Sequence, residues 1–454
     1  MDSIKYYSTN QISPGVTFQE ALLKGLAPDG GLYLPHSFPL LTDELLESLQ
    51  EKEYPEIAFS ILNELIGNEI KQDELRNICH DAYNFPIPLE KVCDRKYIMR
   101  LDQGPTASFK DFAARMMSRL MQHYLSLNNR HLTILTATSG DTGSAVANAF
   151  FGLKNINVII LFPGDEVTPT QRKQMTTLQK NIKVIAINGK FDDCQRLVKK
   201  AFLDPELSHI PLSSANSINI GRLLPQSVYY FYSWSRLSGK TFDKAVFSVP
   251  SGNFGNLMGG LIAFKMGLPV TQFIISTNEN DEVPEFLKTG KYKPISPSKN
   301  CISSAMNVGH PSNLARIVAL YGGIMNETGH IIIIPDLKSM INDLYAISVT
   351  DDETKTTIAE TYKKYGIILE PHGAIAWQGI SDFLKNNKNI SSENQLFISL
   401  ETAHPAKFSD ELRRILDVNP PLPLSLIGIE KKTEQYYKLE NKYEHLKDFI
   451  LGNF

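Results

Sequence analysis

The chain has 454 residues, of which 42% are hydrophobic and 21% are charged. This size and composition are typical of a globular protein with two or three domains. The formal net charge is only −3 and the two signs are interspersed, so nothing favours binding to nucleic acid or to an anionic membrane surface. No apolar run reaches the length of a membrane span, and residues 1–9 lack the apolar run of a signal peptide. We therefore expect a cytoplasmic protein.

The cysteines and histidines show no spacing typical of a metal site. Cys79, Cys93, Cys194 and Cys301 are far apart, and none belongs to a C-x-x-C pair. The ten histidines include no H-E-x-x-H sequence, and the chain contains neither a Walker A nor a G-x-G-x-x-G sequence. We expect reduced, mostly structural thiols and no metal.

Residues 1–95 are predicted to form a mostly helical unit. Apolar residues recur at helical spacing in three segments, 41–53, 55–66 and 72–84. Thr42 and Asp43 are suitable caps for the first of these helices.

From residue 95 onward, short apolar runs alternate with helical segments. The runs are rich in Val and Ile, lack polar alternation, and cover residues 132–137, 158–162, 182–187, 245–249, 273–276 and 396–400. Strands covered on both faces show this pattern, so we predict an α/β fold with parallel sheets flanked by helices. The tail is predicted to be a linker and an amphipathic helix over 431–451, packed on its own subunit, with a dimeric coiled coil as the alternative.

Lys110 is the candidate nucleophile. It follows the Gly104-Pro105 turn and stands where apolar residues at helical spacing begin. The positive end of the helix dipole and burial would both lower its pKa from the usual value of about 10.4. A lysine of lowered pKa can form a Schiff base with an aldehyde. The alternative is an ordinary surface lysine near a helix start.

Two strand-to-helix turns are rich in glycine. The first contains Ser139, Gly140, Asp141 and Thr142, and the second contains Ser251, Gly252, Asn253, Phe254, Gly255 and Asn256. Glycines let backbone N–H groups converge above a helix N-terminus, a geometry that binds a phosphate or a carboxylate. The alternative for each turn is that glycine is needed only to make the turn sharp, without any bound anion.

Three further positions are candidates for ligand contacts. Asn219 and Arg222 lie three residues apart near a predicted helix start, and an arginine fork suits a phosphate dianion. The alternative is a surface arginine with a capping asparagine. Thr402 directly follows the 396–400 run, at the carboxyl end of a predicted strand, where open α/β sheets bind ligands. We expect His372 to be packed or hydrogen-bonded rather than a ligand.

Several of these segments resemble motifs of one enzyme family. The matching sequences, in chain order, are DGGLY, GPTASFKDF, LTATSGDTGSAVANAF, SANSINIGRLLPQ, SVPSGNFGNLMGG, EPHGA and ETAHPAKF. Their order and spacing resemble threonine synthases of the bacterial and fungal kind, which have a helical N-terminal domain. The resemblance implies the type II fold of pyridoxal 5′-phosphate (PLP) enzymes, shared with the tryptophan synthase β subunit. The implied domains are 1–95 (helical), 96–125 with 240–420 (large, PLP-binding), 126–239 (small α/β) and 421–454 (linker and helix).

The resemblance also implies roles for the candidate residues. Lys110 would form the Schiff base with PLP, the residues from Ser251 to Asn256 would hold its phosphate, and Thr402 would contact the ring nitrogen. A hydroxyl at that nitrogen would leave it largely unprotonated. Asp141 would belong to the cofactor site, Ser139, Gly140 and Thr142 to the substrate carboxylate site, and Asn219 and Arg222 to the substrate phosphate site.

The implied reaction converts O-phospho-L-homoserine and water to L-threonine and phosphate, the last step of threonine biosynthesis. The alternative is a relative that releases 2-oxobutyrate, either a phospho-lyase or a dehydratase. A second phosphate site around Asn219 and Arg222 argues against the dehydratase. We expect a cytoplasmic monomer or homodimer that acts on a small molecule, without nucleic acid or membrane partners.

Overall fold

A six-stranded sheet forms the larger of two α/β layers in the computed structural model, which describes residues 4–239, 243–391 and 393–453. Its strands, in spatial order, are Leu344–Ser348, Val270–Thr277, Ala245–Pro250, Leu396–Glu401, Lys96–Arg100 and Leu89–Cys93. All neighbours are parallel except the last pair. The two central strands are buried along their whole length, which is why they read as continuous apolar runs.

A second, five-stranded sheet is entirely parallel. Its strands, in spatial order, are Tyr437–Glu440, Ile182–Asn188, Ile156–Pro163, Leu132–Ala137 and Leu212–Ser213. All six apolar runs predicted as strands are strands of one sheet or the other. The two-residue strand at one edge and the mostly exposed strand at the other were not predicted, since neither carries an apolar run.

Helices cover both sheets. In chain order after residue 100 they are Lys110–Leu127, Asp141–Phe150, Pro169–Thr176, Phe191–Leu203, Leu224–Leu237, Gly255–Lys265, Glu282–Thr289, Leu314–Leu320, Leu337–Asp343, Asp351–Tyr365, Pro371–Asn386, Ser409–Leu416 and Tyr443–Leu451. A short hairpin pairs Ile324–Met325 with Ile331–Ile333. Alternate residues of each strand belong to different apolar cores: Phe247 faces the core shared by both layers, whereas Val246 packs with Trp377 on the outer face.

The N-terminal unit is mostly helical, as predicted. Its helices are Phe18–Lys24, Asp43–Ser48, Tyr54–Ile66 and Gln72–Ala82, and Tyr6–Ser8 pairs antiparallel with Tyr33–Pro35. Thr42 caps its helix as predicted, because its Oγ1 accepts a hydrogen bond from the N–H of Leu45 at 3.3 Å. Arg236, on the helix Leu224–Leu237, holds this unit to the rest of the chain by donating to the carbonyl oxygen of Leu49 at 3.1 Å. No helix in the described ranges combines the length and apolarity needed to cross a bilayer.

The prediction of one helix over residues 431–451 is wrong in its first half. Tyr437–Glu440 is a strand that pairs parallel with Ile182–Asn188, and the helix covers only Tyr443–Leu451. The open edge of the sheet has unpaired N–H and C=O groups. Backbone pairing with this edge makes the segment a strand, although its side chains have helical spacing. Leu446 and Ile450 are fully buried in the core of the small layer, so the predicted packing on its own subunit is confirmed.

We propose domain boundaries that follow the two sheets. The large domain then takes in Leu89–Cys93 in addition to the predicted segments, and the small domain takes in the tail from residue 437.

Candidate active site

The turn before Lys110 is held by a buried carboxylate. Asp111 accepts hydrogen bonds from the N–H of Thr106 at 2.8 Å and from its hydroxyl at 2.7 Å. A Cβ on Gly104 would lie 2.5 Å from Oδ2 of Asp111, so the close approach of this turn requires glycine. Lys110 is the first residue of the helix Lys110–Leu127, as the sequence predicts.

Backbone hydrogen bonds fasten this turn to the end of the central strand Leu396–Glu401. The N–H of Phe109 donates to the carbonyl oxygen of Thr402 at 2.9 Å, and that of His404 donates to Ala107 at 3.0 Å. Lys110 and Thr402, predicted separately to belong to one site, are therefore fixed beside each other.

The structure confirms the predicted lowering of the Lys110 pKa, to about 8. Burial is the main cause, and the positive charges of Lys407 and Arg222 act in the same direction, whereas Asp141 and Glu370 oppose it. The Nζ lies 4.5 Å from the centre of the Phe109 ring.

The first glycine-rich turn follows strand Leu132–Ala137. Thr138 shapes it, since its Oγ1 accepts from the N–H of Gly140 at 3.0 Å and of Gly143 at 2.8 Å. Gly140 has φ 136°, and a Cβ there would lie 2.6 Å from the side chain of Gln171. Ser139 is exposed at the head of the turn and Thr142 is half-buried, so both can be reached by a small ligand.

Asp141 starts the helix Asp141–Phe150 and is paired with a lysine that the sequence analysis did not select. Nζ of Lys407 lies 2.5 Å from Oδ1 of Asp141, and Gln171 donates to the same oxygen at 2.9 Å. Burial alone would raise the pKa of Asp141, but Lys407 and Lys110 together hold it well below its usual range. The only signal for Lys407 was its place in the ETAHPAKF segment.

The second glycine-rich turn leads into the helix Gly255–Lys265. Phe254 has φ 59°, and within the described chain the backbone N–H groups from Gly252 to Asn256 donate to no protein oxygen. Oδ1 of Asn256 accepts from Tyr229 at 2.6 Å and Tyr230 at 2.8 Å, whereas its buried Nδ2 has no acceptor in the part of the chain that the structure describes. The turn is thus a set of converging donors at a helix N-terminus, suited to an anion.

Side chains of this turn mainly brace it. Asn253 donates to Oγ of Ser217 at 2.7 Å and accepts from the N–H of Ser312 at 2.7 Å. Oγ of Ser251 donates to the carbonyl oxygen of Val249 at 3.0 Å. Binding at this turn would therefore use the backbone more than the side chains of Ser251 and Asn253.

Asn219 and Arg222 do not act as a pair. The amide of Asn219 donates to the carbonyl oxygens of Leu22 at 2.8 Å and Ser214 at 3.0 Å, and its Oδ1 accepts from Gly221 at 2.9 Å. Contrary to the prediction, Asn219 has no free side-chain donor for a substrate phosphate, because its Nδ2 already donates to two carbonyl oxygens. Its Oδ1 caps the short 3-10 turn Ile220–Arg222.

Arg222 keeps donors available. One guanidinium nitrogen donates to the carbonyl oxygen of Ala215, while its buried Nε has no hydrogen-bond partner among the described residues. Burial lowers its pKa to about 10, and its charge acts on Lys110. Arg222 is therefore buried beside the lysine rather than a surface residue.

A carboxylate network lies behind Thr402. Its hydroxyl donates to Oε1 of Glu370 at 3.3 Å, and Glu370 also accepts from the N–H of Gly373 at 3.0 Å and of His372 at 2.8 Å. Nε2 of His372 accepts from the N–H of Ala305 at 3.1 Å, so its Nδ1 carries the proton that faces Glu370. His372 is hydrogen-bonded, as predicted, whereas Glu370 was not selected.

Three family models match the chain. The model described as pyridoxal-phosphate dependent enzyme matches residues 85–399, that of the threonine synthase N terminus matches residues 5–83, and that of the threonine synthase C-terminal part matches residues 374–450. Together they cover both α/β layers and the helical N-terminal unit.

Similar proteins match over nearly the whole chain. Threonine synthase of Haemophilus influenzae is 42% identical over 446 residues, which are 98% of this chain and 99% of that protein. Threonine synthase of Escherichia coli is 39% identical over 424 residues, 93% of this chain and 94% of that protein.

Solved structures of threonine synthases superpose on nearly the whole chain. The PLP-bound threonine synthase from Brucella melitensis superposes with a TM-score of 0.90 at 36% identity and covers 99% of each chain. The yeast threonine synthase superposes with a TM-score of 0.89 at 31% identity, covering 99% of this chain and 98% of that one. The fold is therefore PLP fold type II, and the chain belongs to the threonine synthase family of PLP-dependent enzymes.

Proposed function

We propose that this protein converts O-phospho-L-homoserine and water to L-threonine and phosphate. The observation that carries the proposal is that backbone hydrogen bonds fix the turn of Lys110 beside Thr402, where Asp141, Arg222 and Glu370 act electrostatically on the Lys110 amine. The family assignment supplies the reaction class, a PLP-dependent carbon–oxygen lyase acting on a phosphate ester.

The residues present fit PLP. The free N–H groups from Gly252 to Asn256 suit its phosphate, and the unpartnered Nδ2 of Asn256 is a further donor there. Gly252 lets this turn pack closely against Met306, since a Cβ would lie 2.7 Å from Cα of Met306 and would displace the turn. Lys110 would hold the aldehyde carbon, and Thr402 would face the ring nitrogen.

Bound PLP supplies an electron sink for negative charge that develops on the substrate carbons. The protein's part is to bind, orient and move protons. Nζ of Lys110 would act as the base that takes the proton from Cα of the substrate and later from Cβ. Its lowered pKa keeps a sizeable fraction of the amine neutral near physiological pH, as a base requires.

Substrate anions have two candidate partners. Arg222, with its free Nε, is our candidate for the substrate phosphate, which leaves from Cγ. The turn of Ser139, Gly140 and Thr142 is our candidate for the substrate carboxylate, since it opens the helix Asp141–Phe150. Closure of this turn over the substrate would delay the entry of water until it can add at Cβ.

The test supplies purified protein and PLP with O-phospho-L-homoserine and quantifies threonine, 2-oxobutyrate and phosphate together. Equal amounts of threonine and phosphate are expected. Release of phosphate with 2-oxobutyrate would show that the enzyme is a phospho-lyase and not a synthase. Absence of phosphate would contradict the assignment of the substrate. Lys110→Ala should abolish turnover, and near-normal turnover in that variant would refute the role of Lys110.

We further propose that the enzyme is cytoplasmic and acts as a monomer or homodimer on a small molecule. The near-neutral charge balance supports the absence of a nucleic acid or membrane partner.

A further inference from the structure

A buried ion pair joins two distant segments of the chain beside Lys110. Nζ of Lys407 and Oδ1 of Asp141 are 2.5 Å apart, and their side chains are 0% and 3% exposed. Lys407 follows the central strand of the large sheet, whereas Asp141 starts a helix of the small layer. The same ammonium donates to the carbonyl oxygen of Thr106 at 3.1 Å.

We propose that Lys407 is a positioning residue for Lys110: by occupying the Asp141 carboxylate, it leaves the amine of Lys110 unpaired and able to react with PLP. The proposal rests on the proposed role of Lys110 as the Schiff-base lysine. It does not depend on which substrate the enzyme uses.

Two negatively charged and two positively charged side chains act on the amine of Lys110. Among the described residues, Asp141 and Glu370 favour its ammonium form, whereas Lys407 and Arg222 disfavour it. Burial, which favours the neutral amine, is the largest single influence on its pKa. Loss of Lys407 or Arg222 would raise the pKa of Lys110 and so favour its ammonium form.

The two lysines have different surroundings. Lys407 is held by the carboxylate of Asp141 and the carbonyl oxygen of Thr106. Nζ of Lys110 faces the ring of Phe109 and makes no hydrogen bond within the described part of the chain. Asp111, its neighbour in sequence, is occupied by Thr106.

Without Lys407, Asp141 would keep only the hydrogen bond from Gln171 and would lie buried with Lys110 as its remaining positive partner. An unpaired buried carboxylate is costly, so Asp141 would hold Lys110 in its ammonium form. A protonated amine cannot add to an aldehyde. Only the neutral amine forms the C–N bond, and one water leaves as C=N replaces C=O.

The experiment mixes full-length apoenzyme with PLP and follows the absorbance of the new C=N bond as a function of pH. Lys407→Met should slow the reaction at least about tenfold at neutral pH and move the midpoint of the pH profile upward, since one pKa unit changes the neutral fraction about tenfold. Adding Asp141→Asn to that variant should restore the rate, because the Asp141 carboxylate no longer holds the ammonium.

Asp141→Asn alone should move the midpoint downward, since Lys110 then faces an unpaired Lys407. This variant decides the question if Lys407→Met does not fold, as judged by circular dichroism. The control is Lys447→Met, which breaks pairs to Asp204 at 3.2 Å and Glu206 at 2.7 Å on the outside of the small layer and should leave the profile unchanged.

An unchanged midpoint in Lys407→Met, no restoration in the double variant, or no downward movement in Asp141→Asn would overturn the proposal. A C=N adduct that still forms in Lys110→Ala would overturn the assignment of Lys110 and this proposal with it. Normal adduct formation without any threonine would instead overturn only the proposed reaction.

Discussion

Replacing Asp111 by alanine tests whether the turn before Lys110 depends on one carboxylate. Asp111 accepts two hydrogen bonds from Thr106, at 2.8 and 2.7 Å, in a fully buried site. Hydrogen bonds to charged groups contribute about 1.5–3 kcal/mol each. Burial raises the pKa of Asp111, so the variant also removes a cost of burying charge. We expect a net loss of about 3 kcal/mol in the free energy of unfolding, near the lower end of two such bonds.

The assay is urea unfolding followed by circular dichroism, together with titration of the apoenzyme with PLP. The loosened turn should also weaken PLP binding, because it carries Lys110. Asp111→Asn should lose less, since it keeps an acceptor oxygen and removes the charge. Asp73→Ala is the matched control: its side chain is 96% exposed, and a change within about 0.5 kcal/mol is expected. Equal stability of Asp111→Ala and wild type would refute the reasoning.

Three further predictions concern packing, the glycine-rich turn and pH. Leu446→Ala should lower the free energy of unfolding by about 2–5 kcal/mol because Leu446 is fully buried, whereas Leu451→Ala, at a position 39% exposed, should change it little; similar losses in both would contradict the tail's packing. Gly252→Ala should weaken PLP binding in a spectroscopic titration, since its Cβ would meet Cα of Met306 at 2.7 Å; unchanged affinity would argue against this turn as the phosphate site. The pKa of Lys110 falls from 10.5 to about 8 on folding, so between these values the unfolded apoenzyme binds more protons and stability rises with pH. Lys110→Met should lack this rise in thermal unfolding across that range, and an identical pH dependence would contradict it.

These strands were predictable because a strand that is buried on both faces has apolar residues at consecutive positions. Leu132–Ala137 and Leu396–Glu401 match their apolar runs almost to the residue. The helix start at Lys110 was predictable because a Gly-Pro turn and an amphipathic helix are local features. The tail strand Tyr437–Glu440 was not, since it depends on an edge offered by a distant segment.

The partners of the site residues were the least predictable part. Lys407 belongs to the site because it pairs with Asp141, and Glu370 because it accepts a hydrogen bond from Thr402. Both contacts join residues that are brought together only by the fold. Asn219 has the residue type of a phosphate ligand, yet its amide is used by Leu22 and Ser214. Sequence spacing gives the residue types near a site, whereas hydrogen-bond saturation decides which of them are free.

The pairing of the tail with the small sheet also bears on how the chain avoids self-association. Asn188 and Glu440, at corresponding ends of the two paired strands, are 252 residues apart in sequence. During synthesis, Ile182–Asn188 therefore emerges long before the segment that covers its edge. Until then it is an open apolar strand, of the kind that recruits other chains into intermolecular sheets. We therefore expect residues 437–440 to limit aggregation as well as to complete the sheet. Chains shortened before residue 437 should accumulate in inclusion bodies when they are expressed.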